Sequence, residues 1–243
     1  MMRMIGITTM QPLKLFNLRV TLFLLSSFTS LSFAATNWAP YINIDAGIAS
    51  EKISDVTFQN PRAPQLAQQS NYSAIAAGSI ALGSSVLPMQ LPVRLELRGL
   101  FQGQSGFNRE YYFPSLAVIG IQKLRIQSNA LLVQGYYDIP LQSVTPFITL
   151  GVGAVWNKTT ATQYAPEIPG WTYNFVGTTT SNLAWAGGVG LSKSLTDKLS
   201  LTTNLQYVSL GKFDTGVLPK TGDEHIFGKV RAIELLVGVR YLL

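Results

Sequence analysis

Apolar residues recur at every second position through Lys229 to Leu243, which reads KVRAIELLVGVRYLL. Ile233, Leu235, Val237, Val239, Tyr241 and Leu243 share one face of this segment, while Ala232, Glu234, Leu236, Gly238, Arg240 and Leu242 share the other. A period of two defines a strand. A soluble sheet would bury the apolar face and wet the mixed one. A barrel in an outer membrane does the reverse, turning its apolar face to lipid and its mixed face inward.

Seven further segments carry strand patterns. Pro40 to Ser50 alternates Ile42, Ile44, Ala46 and Ile48 with Asn43, Asp45 and Gly47. Tyr72 to Leu87 is rich in Ala, Gly and Ser, so its facing is ambiguous. Leu91 to Gln102 sets Val93, Leu95, Leu97 and Phe101 against Arg94, Glu96, Arg98 and Gln102. Gln122 to Ile139, Thr145 to Asn157, Asn182 to Ser194 and Lys198 to Leu210 follow. In the first of these, Gln134, Tyr136 and Asp138 share the mixed face. The total is eight strands, and an even number places both chain ends on the same side.

The connections alternate in length. Those at 88–90, 140–143 and 195–197 are short, whereas those at 51–71, 103–121, 158–181 and 211–228 are long. The pattern predicts an all-β, eight-stranded antiparallel transmembrane barrel with short periplasmic turns and four long surface loops. A soluble ligand-binding barrel would need an apolar interior, which the charges at Arg94, Glu96, Arg98, Glu234 and Arg240 contradict. Trp38, Tyr41, Tyr72, Trp156, Trp185, Tyr207 and Tyr241 lie near strand ends, as residues of an aromatic girdle would.

Composition agrees. Charged residues make up 12% of the chain, against about 25% in an ordinary soluble domain. No apolar run in the mature chain is long enough for a helical span. Cysteine is absent, which removes disulfides and thiolate metal sites from consideration. The N-terminus has the form of an export signal: Arg3, Lys14 and Arg19, then the apolar run 20–28, then small residues around Ala34 and Ala35. The predicted organisation is a cleaved leader at 1–34 and a barrel domain at 35–243. Losing three cations with the leader lowers the formal net charge of +6 by three. No cationic cluster then suggests nucleic-acid binding.

Several strings resemble the eight-stranded outer-membrane β-barrel family, which includes the opacity-type surface antigens and the transmembrane domain of outer membrane protein A. They are QGYYDIP (134–140), TPFITLGVGAVW (145–156), LAWAGGVGLSKSLTDKLSL (183–201), LQYVSLGKF (205–213) and ELLVGVRYLL (234–243). The resemblance implies Sec-dependent export, insertion by the barrel assembly machinery, and a C-terminal assembly signal. Here that signal would comprise Val237, Val239, Tyr241 and Leu243, with Leu243 where family members usually carry Phe.

The mixed faces predict a lumen lined by Asn43, Asp45, Arg94, Glu96, Arg98, Gln134, Asp138, Asn204, Gln206, Glu234 and Arg240. Charges removed from water must be paired. The three arginines are therefore expected to pair with Asp45, Glu96, Asp138 and Glu234, filling the lumen; a narrow water path is the alternative. His225 is the one histidine, in a long loop beside Asp223 and Glu224. No HxS spacing of the kind used by barrel-shaped lipid A deacylases follows it, and it reads as an exposed loop residue rather than a base. No catalytic, cofactor or metal site is expected. Function then falls to the loops: Trp171, Tyr173 and Phe175 alternate in the third, forming either a contact patch for a host or surface ligand or an extension packed on its neighbours. The expected role is a surface antigen or adhesin-like anchor supporting envelope integrity. A small-solute channel and a lipid-modifying enzyme are the alternatives.

Overall fold

The computed structural model describes residues 38–59, 69–86, 92–113, 118–220, 222 and 224–243. The leader expected at 1–34 lies outside them. The strands are β1 (Ala39–Gln59), β2 (Gln69–Ser85), β3 (Val93–Phe113), β4 (Val118–Asp138), β5 (Thr145–Tyr164), β6 (Thr172–Asn174), β7 (Thr178–Ser194), β8 (Leu199–Asp214) and β9 (His225–Leu242). All pairings are antiparallel, in the order β4-β3-β2-β1-β9-β8-β7-β5, and β4 also pairs with β5 to close the ring. Eight strands thus form the barrel, while β6 adds only to the outer end of β5.

The barrel is inside-out relative to a soluble one. Leu150 and Leu183 are each 72% exposed on the outer wall, whereas Glu96 and Arg98 are each 2% exposed within. Lipid solvates the first pair and would not solvate the second. Trp156, Trp185 and Tyr207 mark the outer edge of the apolar band, and the rings of the last two are 5.1 Å apart. Tyr241 marks the periplasmic edge, with Lys198 over its ring. Tyr41 is not a girdle residue: it points into the lumen, 1% exposed.

The strands are longer than expected. A tilted strand crosses a bilayer in about 9–11 residues. β1, β3 and β4 have 21 residues each. Much of what reads as four long loops is therefore barrel wall continuing above the lipid. Residues 51–59, 103–113, 158–164 and 225–228 belong to β1, β3, β5 and β9.

Above the apolar band the sidedness inverts. Ile53, Val56, Phe58, Leu124, Ile126, Val155, Phe213 and Ile226 pack inside, while Lys123, Arg125, Lys158 and Lys229 face out. A wall standing in water must bury its apolar face in the usual sense. Three strands carry a β-bulge at this level: β1 between Ile53 and Val56, β3 between Phe101 and Gln104, and β8 between Ser209 and Lys212. Each shifts the inward positions from one parity to the other. Inward residues in β3 are 96, 98, 100 and 102 below the bulge, then 105, 107 and 109 above it. Bulges bend strands and increase twist at barrel rims. At the β8 bulge Gly211 takes φ +73°, and Asn157 reaches across to donate to the Leu210 and Lys212 carbonyls at 2.7 and 2.8 Å.

At the C-terminus Val237, Val239, Tyr241 and Leu243 all face outward. The Leu243 amide donates to the Pro40 carbonyl at 3.0 Å, so the last residue still joins the closing seam. Leu243→Phe is expected to preserve the folded state and to match or raise the rate of heat-modifiable barrel formation in cells. A slower appearance of the folded band would count against an assembly signal at this end.

Candidate functional site: a filled lumen beneath a packed external rim

The periplasmic half of the lumen holds one connected polar network. β3 supplies its axis, because alternation turns Arg94, Glu96 and Arg98 inward in succession. Arg94 grips Asp138 of β4 with both Nε and Nη2, at 2.7 and 2.8 Å. This fork-on-fork geometry is the strong form of an ion pair. Glu96 accepts from Tyr41 and Tyr136, each at 2.9 Å, and from Arg98 Nη2 at 2.9 Å. Arg98 Nη1 lies 3.1 Å from Asp45, which also accepts from Asn43 at 2.9 Å and Ser79 at 2.7 Å. The Arg94 guanidinium stacks over Tyr136 at 4.4 Å and Phe147 at 5.2 Å. Gly238 stands opposite Asp45, where an added Cβ would lie 2.0 Å from the carboxylate, so only glycine leaves room for it.

A second layer crosses the lumen. Gln134 of β4 donates to Gln206 of β8 at 3.3 Å, and Gln206 donates to Glu234 of β9 at 2.7 Å. Gln102 of β3 also donates to Glu234. Glu234 therefore takes amide partners rather than the arginine expected for it. Arg240 differs too. It donates to Ser192 at 3.0 Å and lies 5.4 Å from the Tyr41 ring, but makes no ion pair within 4.0 Å among the described residues. Higher still, Glu51 accepts from Ser105 beneath the apolar plug. Residues assigned to loops or girdle in the sequence, Glu51 and Tyr41 among them, thus belong to the interior. For Tyr41 the signal was its shared parity with Asn43 and Asp45.

At the outer rim, Phe175 is buried in the apolar plug and is not part of an exposed patch. Tyr173 packs against that plug, meets Trp171 edge-to-face at 5.3 Å, and accepts a hydrogen bond from Lys220. The three aromatics therefore form a packed extension on β6, with Trp171 and Tyr173 half-buried. His225 is likewise no loop residue. It begins β9, with Nδ1 3.1 Å from Asp214 and Nε2 2.8 Å from Gln59. Its expected neighbour Asp223 lies outside the described residues, and Glu224 turns inward. Both ring nitrogens have side-chain partners, a carboxylate and a carboxamide.

A closed ring, a lipid-facing apolar band and a buried ion network define an integral β-barrel of the bacterial outer membrane. The chain matches the outer membrane protein beta-barrel domain family over residues 20–241, and it belongs to that family. It is 29% identical over 178 residues to outer membrane protein PagN of Salmonella typhimurium, covering 69% of this chain and 72% of that protein. Among solved structures, a major outer membrane protein from Thermus thermophilus superposes with a TM-score of 0.51 at 16% identity, covering 86% of this chain and 100% of that one. Neisserial surface protein A superposes with a TM-score of 0.45 at 16% identity, covering 84% and 97%.

Truncating Arg98 leaves Asp45 without a cation and Glu96 with Arg94 alone, at 3.6 Å. Arg98→Met is expected to destabilise the barrel by about 3–5 kcal/mol, the usual cost of an orphaned buried charge. Arg94→Met with Asp138→Leu, which removes both partners of a pair, should cost clearly less. Equilibrium denaturant unfolding in lipid vesicles measures both, and equal losses would mean that the ion pairing is not what stabilises the interior.

Proposed function

We propose that this protein is a passive surface binder: the barrel anchors, and the rim above the lipid presents a ligand-contacting surface to the outside. The observation that carries this reading is the continuation of the strands well past the apolar band around an apolar core, with β2–β3 pairing ending at Ala77 opposite Gln102 and β7–β8 pairing at Trp185 opposite Ser209 while the other ladders run on. Strands that continue past the lipid hold their connections away from the membrane, and loops preorganised on them bind with less loss of entropy. β6 and the connection after it at 175–177 lie beside the segment 215–220 at the rim, joined by the Val176 amide to the Val217 carbonyl at 3.3 Å, by the Gly177 amide to the Thr215 carbonyl at 3.1 Å and by Lys220 to Tyr173.

Conduction is disfavoured by the same interior. Charges paired across the lumen and an apolar plug above them leave a diffusing solute two barriers of opposite character. An enzymatic role lacks support as well, because His225 is held between Asp214 and Gln59 with no hydroxyl placed on it.

Bacteria displaying the protein are expected to adhere to cultured epithelial cells several-fold more than cells without it. Replacing 165–171 and 217–222 with Gly-Ser linkers should return adhesion to background while the barrel still shows heat-modifiable migration. Purified protein in planar bilayers should show no stable open conductance. Unchanged adhesion after loop replacement would sink the binding reading, and a steady conductance altered by Arg94→Gln would favour a channel.

A further inference from the structure

Four cations gather on the outer wall immediately above the lipid-facing band. Lys52 of β1 stands directly opposite Arg231 of β9, and Lys229 of β9 stands directly opposite Lys212 of β8. Arg231 and Lys229 are two residues apart on one strand and therefore share the outer face. Like charges directly across a ladder repel and destabilise the pair. Here two such pairs adjoin.

Little nearby offsets them. Asp55, placed at φ 55° in the β1 bulge, pairs with Lys229 at 2.9 Å. Asp214, the next outward residue of β8, is already engaged by His225 and by the Gly216 amide at 2.7 Å. Among the described residues one carboxylate not otherwise engaged, Asp55, thus serves four cations. The level of the cluster is fixed by its neighbours: Ile233, two residues below Arg231, is lipid-facing, and Tyr207 of the girdle stands opposite Ile233. Tyr72 lies beside Lys52, with the ammonium 5.2 Å from the ring centroid. The cations therefore sit one pleat above the apolar band, the depth at which lipid head groups carry their phosphates.

We infer that Lys52, Lys212, Lys229 and Arg231 form a binding site for the phosphate groups of an outer-leaflet glycolipid. The cross-strand repulsion is relieved when phosphate oxygens bridge the paired cations. The acyl chains of the same molecule then lie along Ile48, Leu205, Ile233 and Leu235, which are exposed directly beneath. Head-group charge and chain contact come from one ligand, which distinguishes this site from a surface that attracts any anion. Each cation near a charged membrane surface contributes on the order of 1 kcal/mol, so four produce an effect readily measured.

The test uses the full-length barrel in neutral detergent and native mass spectrometry with three probes: bisphosphorylated lipid A, lipid A lacking both phosphates, and inorganic phosphate. Bisphosphorylated lipid A should bind at least about tenfold more tightly than the dephosphorylated form. The preference should disappear in the quadruple variant Lys52→Gln, Lys212→Gln, Lys229→Gln, Arg231→Gln. The charge-preserving variant Lys52→Arg, Lys212→Arg, Lys229→Arg should retain it, which separates charge from any loss of fold. Equal binding of the two lipids, retention in the quadruple variant, or competition by millimolar inorganic phosphate would each overturn the proposal.

Discussion

The closure of β1 on β9 is the interaction on which everything else depends. Within a bilayer a strand edge has no water to satisfy its amides and carbonyls, so a sheet there must be a ring. The seam runs from Tyr41 opposite Leu242 to Gln59 opposite His225. It spans the lipid and continues beyond it. A ring of eight strands has a narrow interior, and that forces the next choice: whatever the ring encloses must fill the space and satisfy itself.

The interior meets this demand in two ways along its height. At membrane depth the outer wall is apolar, and the inside takes the polar residues, paired as Arg94–Asp138, Arg98–Glu96 and Arg98–Asp45. Above the membrane the outer wall meets water, and the inside takes the apolar residues from Ile53 to Ile226. One barrel is therefore a membrane protein below and a soluble protein above. The change falls where β1, β3 and β8 carry their bulges. The cations Lys52, Lys212, Lys229 and Arg231 lie at the same boundary, where head-group phosphates meet the wall.

Membership of the outer membrane protein beta-barrel domain family places the chain in the outer membrane. The strands of this barrel run well beyond the length needed to cross the lipid, with 21 residues each in β1, β3 and β4. In the rim Phe175 is buried in the apolar core, and Tyr173 packs against that core and against Trp171.

Period-two alternation made the barrel legible from sequence, because lipid outside and a polar lumen inside impose opposite chemistry on adjacent residues. Strand number, the alternation of short and long connections, and the inward positions of Asp45, Arg94, Glu96, Arg98 and Asp138 all follow from that single rule. Three things were decided only in three dimensions. The strands read as ending at Gln102 and Leu210 in fact continue, because a bulge next to each shifts the parity and the alternation appears to stop. Tyr41 shares its inward parity with Asn43 and Asp45, but only the closed ring brought its hydroxyl to Glu96 and Arg94, distant in sequence. Arg240 found Ser192 rather than a carboxylate, because Asp138 was already held by both arms of Arg94. Alternation reports which solvent each face meets; which partner each side chain takes depends on strand register and on competition within a crowded lumen, and these exist only once the ring has closed.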